Sequence, residues 1–192
     1  GSYVMGSVSA RGVSLLTENT ILGGVTVIGN GAETFTVLGN NITSNHEAAI
    51  IASGGGTIQS NFIYNACKGI TQEDKTTLSA IIRQNLIKNN EYGIYLRDNS
   101  NDAAIVDNTF TANKVGIFNP SYRLTIAGNS FIDNAQYDIR AGSNAVSAAS
   151  NWWGTTDRQA IEQKIFDSKD DFSLGTVVYV PFLTTANINA PD

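Results

Sequence analysis

Apolar and polar positions repeat along this chain in a unit of about 22 residues. Each unit is anchored by the word Asn-x-Ile or Asn-x-Phe, and the last anchor has Trp at the apolar position. The gaps between successive anchors are 21, 21, 24, 23, 21 and 22 residues. The anchors are Asn19, Asn40, Asn61, Asn85, Asn108, Asn129 and Asn151. A repeat this regular predicts an array of similar structural units.

Three apolar columns appear when the repeats are aligned on these anchors. Three residues before the anchor stand Leu16, Val37, Ile58, Ile82, Ile105, Ile126 and Ala148. Two residues after it stand Ile21, Ile42, Ile63, Ile87, Phe110, Phe131 and Trp153. About nine residues after it stand Ile28, Ala49, Ile70, Ile94 and Ile117, and Ile139 with one extra residue. Around these columns apolar and polar residues alternate and β-branched residues dominate, which predicts three short strands per repeat.

A unit of three strands without an amphipathic helix can bury its apolar columns only by stacking on copies of itself. The pattern therefore predicts an all-β protein, a parallel β-solenoid of about seven three-strand coils. Leucine-rich, ankyrin and tetratricopeptide arrays are excluded, because their units need helical or leucine-patterned segments. At about 4.8 Å between paired strands, the coils would form a rod of roughly 30 to 35 Å.

The repeated asparagine has a structural explanation. A side-chain amide both donates and accepts hydrogen bonds, so an Asn at the same bend of every coil can bond to the backbone and to the Asn above and below. We therefore expect the seven anchors to form a ladder. A second polar column, four or five residues later, predicts the next corner: Asn45, Asn65, Asn89 or Asn90, Asn113 and Asn134.

The repeat ends after the segment Asn151-Trp152-Trp153-Gly154. Ile161 and Ile165 lie four residues apart behind a Thr156/Gln159 capping pattern, which predicts a short helix, and the apolar run 176–180 predicts a final strand. We expect these elements to cover the open edge of the last coil. The predicted parts are a partial coil over 1–18, whose Gly1-Ser2 start looks like a cloning remnant, repeats over 19–151, a cap over 152–183 and a tail over 184–192.

Composition narrows the choice of partners. The chain has 12 basic and 17 acidic residues and a net charge of −5, which is the wrong sign for holding nucleic acid or anionic lipid. It has no run of 18 apolar residues, so no membrane insertion is predicted. His46 and Cys67 are the chain's only histidine and cysteine, and we interpret both as ordinary turn residues.

The phrase Asn-x-Ile-x-x-Asn-x-x-Gly-Ile, clear in residues 85–94 and 108–117, resembles that of right-handed parallel β-helix repeat proteins of the pectate-lyase-like superfamily. The Asn-Trp-Trp-Gly segment with its trailing helix resembles the closing module of secreted members. The resemblance covers residues 12–183. It implies a right-handed helix, an extracellular or cell-surface location and a context of polysaccharides. It does not imply one activity, because the superfamily includes lyases, glycosidases, adhesins and tailspikes.

Acidic residues in the two longest repeats form one candidate site. Glu73 aligns with Arg97, and Asp74 aligns with Asp98 on the neighbouring coil. Stacked carboxylates would favour a bound cation, so Asp74 and Asp98 are candidate Ca²⁺ ligands. Together with Glu73 and Arg97 they are candidate catalytic residues of a polysaccharide lyase or glycosidase acting on acidic glycans. The alternative is a solvated loop with a Glu73–Arg97 pair, and the short repeats leave little length for a deep cleft.

An outward row of side chains forms a second candidate site. Tyr95 and Phe118 directly follow the Gly-Ile phrase, and Arg140 follows it one residue later. With Arg97 these residues are candidates for contact with a polysaccharide or cell-surface glycan, because aromatic rings match the apolar face of a sugar. The alternative is packing between coils.

We therefore expect a non-catalytic extracellular β-helix module, either a scaffold or a carbohydrate-binding element, with no cofactor unless Ca²⁺ binds the acidic patch. The enzyme described above is the first alternative. A purely structural or assembly domain of a larger protein is the second. The chain is expected to be a monomer or part of a longer chain.

Overall fold

Short strands joined by tight turns make up most of the chain. The computed structural model describes residues 1–29, 33–73, 80–97, 104–120 and 124–192. The elements, in chain order, are β1 (Tyr3–Val4), β2 (Val8–Arg11), β3 (Ser14–Thr17), β4 (Thr20–Ile21), β5 (Val25–Ile28), β6 (Phe35–Leu38), β7 (Asn41–Ile42), β8 (Ala48–Ser53), β9 (Gly56–Gln59), β10 (Phe62–Tyr64), β11 (Lys68–Glu73), β12 (Ala80–Arg83), β13 (Leu86–Lys88), β14 (Tyr92–Leu96), β15 (Ala104–Val106), β16 (Thr109–Thr111), β17 (Val115–Phe118), β18 (Thr125–Ala127), β19 (Ser130–Ile132), β20 (Tyr137–Arg140), β21 (Val146–Ser147), α1 (Arg158–Gln163), β22 (Ile165–Phe166) and β23 (Val177–Val178).

From β1 to β20, every third strand joins the same parallel sheet. Sheet A has the order β1-β4-β7-β10-β13-β16-β19, sheet B has β2-β5-β8-β11-β14-β17-β20-β22, and sheet C has β3-β6-β9-β12-β15-β18. Each turn of the chain thus adds one strand to each sheet, beginning with β1, β2 and β3. This confirms the predicted all-β parallel solenoid, with about six turns where about seven were predicted. The architecture is consistent with a right-handed parallel β-helix.

The apolar columns fill the space between the three sheets. The column two residues after the anchor is buried along its whole length, and its last three rings, Phe110, Phe131 and Trp153, are stacked. Their centroids are 5.1 Å apart between the two Phe rings and 4.9 Å apart between Phe131 and Trp153. In-register stacking therefore places like side chains on like side chains, as the repeat predicts.

The predicted third column is wrong in its first two members. Val25 and Ile50, and not Ile28 and Ala49, align with Ile70. The reason is the length of the turn between sheets A and B, which is three residues after β4 and five residues after β7. A fixed offset from the anchor cannot follow a turn whose length varies.

The seven anchor asparagines form the predicted ladder. Asn85 shows the pattern: its Nδ2 donates to Ile58 O, Arg83 O and Asn108 Oδ1, each at 2.9 Å. Its Oδ1 accepts from the backbone N of Asn61 at 3.0 Å and from the Asn61 amide at 2.9 Å. Each amide from Asn40 to Asn129 thus bonds to three successive coils. All of its hydrogen bonds are made inside the protein, where an unpaired amide would be costly.

The second ladder is shorter than predicted. Asn90 and Asn113 each donate through Nδ2 to the next Asn, at 3.0 and 3.1 Å, and Asn134 completes the three. Asn45 and Asn65 are exposed and lie outside this ladder, because Ser44 and Ala66 occupy the inward position on their coils. Asn89 has φ 57° and also lies outside it, at the turn position next to Asn90.

Asp138 ends the second ladder. The amide of Asn134 donates to Asp138 Oδ1 at 2.8 Å, and Asp138 is only 3% exposed. Burial raises the pKa of Asp138 to about 7, against the opposing effects of the Asn134 hydrogen bond and the charge of Lys164. The carboxyl group therefore takes up a proton on folding at mildly acidic pH.

The C-terminal segment closes the solenoid as predicted. β22 pairs with β20 and β23 pairs with β21, so two short strands cover the open edge. The helix α1 begins later than its sequence pattern suggests. Its N-cap is Asp157, whose side chain accepts from Gln159 N, and Thr156 does not cap it. Within the described ranges, no helix has the length and apolar character needed to span a membrane.

We predict that Asn85→Ala lowers the free energy of unfolding by about 3 kcal/mol or more, because it leaves several buried polar groups unpaired at about 1–3 kcal/mol each. Guanidinium unfolding would measure the loss. The control is Asn45→Ala, an exposed turn residue whose replacement should change stability by no more than about 0.5 kcal/mol. Equal effects of the two substitutions would contradict the ladder's role.

We also predict that Asp138→Asn stabilises the protein increasingly as pH rises. The raised pKa means that the folded state loses stability between about pH 4 and pH 7, as the buried carboxyl ionises. Because the pKa rises from the ordinary value of 3.8 to about 7, the substitution should raise the free energy of unfolding at pH 8 by up to about 4 kcal/mol. This gain should vanish near pH 4. Unfolding midpoints at pH 4, 6 and 8 test this. Glu33→Gln removes an exposed carboxylate as the control, and a pH-independent gain in Asp138→Asn would refute the prediction.

Candidate ligand-binding face

The outer surface of sheet B carries a row of side chains from consecutive coils. Tyr95 pairs with Phe118, Phe118 with Arg140, and Arg140 with Phe166 in the strand registers. All four side chains are half-buried. Parallel strands in register lie about 4.8 Å apart, so they place these side chains in single file. The structure thus brings Tyr95, Phe118 and Arg140 together, as predicted.

The rings of this row stack on each other and on cations. The Tyr95 and Phe118 centroids are 4.8 Å apart, and their planes differ by 13°. Lys68 Nζ lies 4.3 Å from the Tyr95 centroid, and Arg140 Cζ lies 4.9 Å from Phe118 and 5.5 Å from Phe166. We call these five residues the cation–π column. A cation over a ring face is attracted by the negative charge of the π system.

This stacking decides which parts of the rings a ligand can reach. The faces of Tyr95 and Phe118 are occupied by each other, by Lys68 and by Arg140, and Tyr92 packs edge-on against both rings at 5.5 and 5.2 Å. A sugar would therefore meet ring edges, which carry partial positive charge. A ligand at this surface therefore meets partial positive charge, and not the free face of an aromatic ring.

Arg140 is the cation best placed to meet a ligand. Its guanidinium is held over two rings, and within the described part of the chain it makes no hydrogen bond or ion pair. Hydrogen bonds from Ser173, and to a lesser degree the charge of Arg140, lower the pKa of Asp171 nearby. The N–H groups of a stacked guanidinium remain directed outward in its plane, where they can hold a carboxylate with two hydrogen bonds.

A groove of about 580 Å³ lies beside the column. It is lined by Lys68, Tyr95, Arg97, Phe118 and Asn119. Two carboxylates neutralise part of its positive charge, since Lys68 Nζ lies 2.6 Å from Glu47 and Arg97 Nη2 lies 3.1 Å from Glu73 Oε1. The hydrogen bond from Lys68 and its charge lower the pKa of Glu47, which therefore stays ionised at neutral pH.

The acidic candidate site is only partly described. Glu73 and Arg97 form the ion pair that the sequence alignment suggests. Asp74 and Asp98 lie outside the described residues, so their roles as Ca²⁺ ligands or catalytic groups stay predictions.

Sequence reasoning missed two members of the column. Lys68 lies three residues before Thr71 on its coil, and the long side chain reaches the next coil. Phe166 lies in the cap, where the repeat has ended and alignment on the anchors no longer applies. The signal for Lys68 was its place directly before the Gly-Ile phrase, whereas no repeat signal marked Phe166.

Comparison with known proteins gives one family. NosD, described as a periplasmic copper-binding protein, matches residues 4–167. Protein bark beetle of Drosophila melanogaster is similar at 38% identity over 71 residues. That match covers 36% of this chain and 2% of the fly protein, so the chain spans a small part of that relative. No solved structure gives a significant match.

Proposed function

This chain belongs to the NosD family, and from that membership we propose that it is a non-catalytic β-helix module that works in the periplasm or outside the cell. We further propose that the module binds acidic carbohydrate through the outer face of sheet B. The observation that supports this is the cation–π column, in which the ring faces are occupied and the Arg140 guanidinium and the ring edges remain for contact with a ligand. Both features favour an anionic ligand over a neutral one.

A polymer fits this face better than a small ligand does. The groove is open, and its lining residues Lys68, Tyr95 and Phe118 come from three successive strands of sheet B, β11, β14 and β17. An extended acidic glycan could lie in the groove and reach Arg140 on the next coil, whereas Lys68 is paired with Glu47 and its side chain is only 15% exposed. Repeated weak contacts along a chain add to one another, because each bound unit raises the local concentration of the next.

The described residues do not fit a copper site. Copper prefers imidazole, thiolate and thioether ligands, and the chain has one of each type, in His46, Cys67 and Met5. The Cys67 thiol hydrogen-bonds to Glu91 at 3.4 Å, and burial followed by this bond raises its pKa, which disfavours the thiolate. Met5 is 78% exposed. Within the described ranges, no three His, Cys, Asp or Glu side chains cluster to hold a metal ion.

The test compares a polyanion with its neutral form. Polygalacturonate should bind, and its fully methyl-esterified form should not, because esterification removes the carboxylates that the cations would hold. Binding should weaken as salt rises from about 20 to 200 mM, since exposed charges are screened over about 10 Å at 0.1 M. Isothermal titration calorimetry measures both effects. Equal affinity for the two polymers, or binding to neither, would overturn the proposal.

Substitutions locate the binding face. We expect Arg140→Gln to weaken polygalacturonate binding about tenfold, since a hydrogen bond to a charged group contributes about 1.5–3 kcal/mol and 1.4 kcal/mol is tenfold. Phe118→Ala should also weaken it, because the ring that holds the guanidinium is removed. The matched controls are Arg83→Gln on sheet C and Tyr64→Ala, which belongs to a stacked outward pair with Phe62 on sheet A. Neither control should change the affinity.

A further inference from the structure

The C-terminal residues 184–192, here called the tail, fold back over the outside of the solenoid. Leu183 N donates to Asn151 O at 2.9 Å, and the tail then runs towards earlier coils. It lies along the corner between sheets C and A, where Asp107 has φ 55° and Gly128 has φ 68°. The sequence gives no indication that this segment packs on the body of the protein.

Asn187 occupies a small site in this corner, formed by Asp107, Gly128 and Ser130 and here called its seat. Its Nδ2 donates to Asp107 Oδ1 at 2.7 Å and to Gly128 O at 2.5 Å, and its backbone N donates to Ser130 Oγ at 3.3 Å. A Cβ on Gly128 would lie 2.2 Å from Asp107 Oδ1 and 2.9 Å from Asn187 Nδ2. The seat therefore depends on glycine at this position, both for its φ and for its lack of a side chain.

The remaining contacts follow the tail along the corner. The Asn187 side chain also accepts from Asn189 N at 3.1 Å, which turns the chain, and the Thr109 hydroxyl donates to Pro191 O. Beside residues 188–191 the corner forms a cavity of about 430 Å³, lined on the body side by Ser60, Asn61, Phe62, Gln84 and Leu86. The tail thus fills only part of a longer groove.

Polar contacts, and little apolar burial, hold the tail. Ile188 is 96% exposed, and Ala190 is the small apolar residue that becomes buried. Covalent attachment compensates for this weakness, because a short linker keeps the tail at a high effective concentration beside its seat. A segment held in this way can exchange with a competing segment of similar chemistry.

We propose that this corner groove is a binding site for an extended polypeptide segment of a partner protein, and that the tail occupies it in the absence of the partner. The recognised segment carries Asn at the position of Asn187 and Pro four residues later, as the tail does. Its side-chain amide bonds to Asp107 and Gly128, and its later residues extend towards Phe62 and Leu86. This site is separate from the face of sheet B.

The experiment uses the full chain and a fluorescent peptide of residues 184–192. In the Asn187→Ala chain the tail loses its seat, so the peptide should bind at least about tenfold more tightly than it does to the unaltered chain. A peptide with the same Asn187→Ala change should bind at least about tenfold more weakly than the unaltered peptide. Asn189→Ala, in chain or peptide, is the matched control, because the structure describes no hydrogen bond of the Asn189 side chain. Fluorescence anisotropy gives the affinities.

Each outcome decides the proposal. Tighter binding to the Asn187→Ala chain, with loss when Gly128→Ala is added to that chain, supports the groove. Circular dichroism and thermal unfolding confirm that the variants are folded. Absence of peptide binding to a folded Asn187→Ala chain overturns it. Equal binding to the altered and unaltered chains also overturns it, because the peptide would then bind at a place that the tail does not cover.

Discussion

The fold depends on one constraint, that every coil must satisfy the polar groups of the next coil at the corners as well as along the strands. Parallel strands pair through their backbones, but the chain turns sharply between sheets C and A, and the ladder there is made by side chains. The amide of each anchor asparagine from Asn40 to Asn129 bonds to its own coil and to both neighbours. Because donors and acceptors alternate in one group, the same residue can be repeated indefinitely, and the register is fixed from end to end.

That register creates the outer surface too. Once coils are aligned by their corners, outward side chains at the same strand position lie in single file, whatever their chemistry. Glutamate meets arginine at Glu73 and Arg97, and aromatic rings meet cations in the cation–π column. A narrow spacing between strands makes such neighbours interact strongly. The candidate ligand face therefore results from the constraint that builds the core.

The C-terminal end of the repeat is closed in other ways. Where the second ladder stops, Asp138, four residues after Asn134, accepts the last amide hydrogen bond, and burial raises its pKa to about 7. Where the strands stop, β22 and β23 pair with the last coils, and Tyr179 packs edge-on against Trp153 at 6.1 Å between centroids. The tail adds a third kind of cover, since its polar contacts hold it over the corner between sheets C and A.

The sequence by itself determined the repeat, the anchor ladder, the two inner apolar columns, the cap and the alignment of Tyr95, Phe118 and Arg140. These features have a fixed offset from the anchor, so a one-dimensional pattern contains them. Only the tertiary structure decided the third column, the length of the second ladder, the places of Lys68 and Phe166 in the column, and the seat of Asn187. Turn lengths vary between coils, long side chains reach across them, and the tail meets residues about 60 to 80 positions earlier in the chain. Contacts of this kind depend on how the coils are stacked, and no local sequence pattern records them.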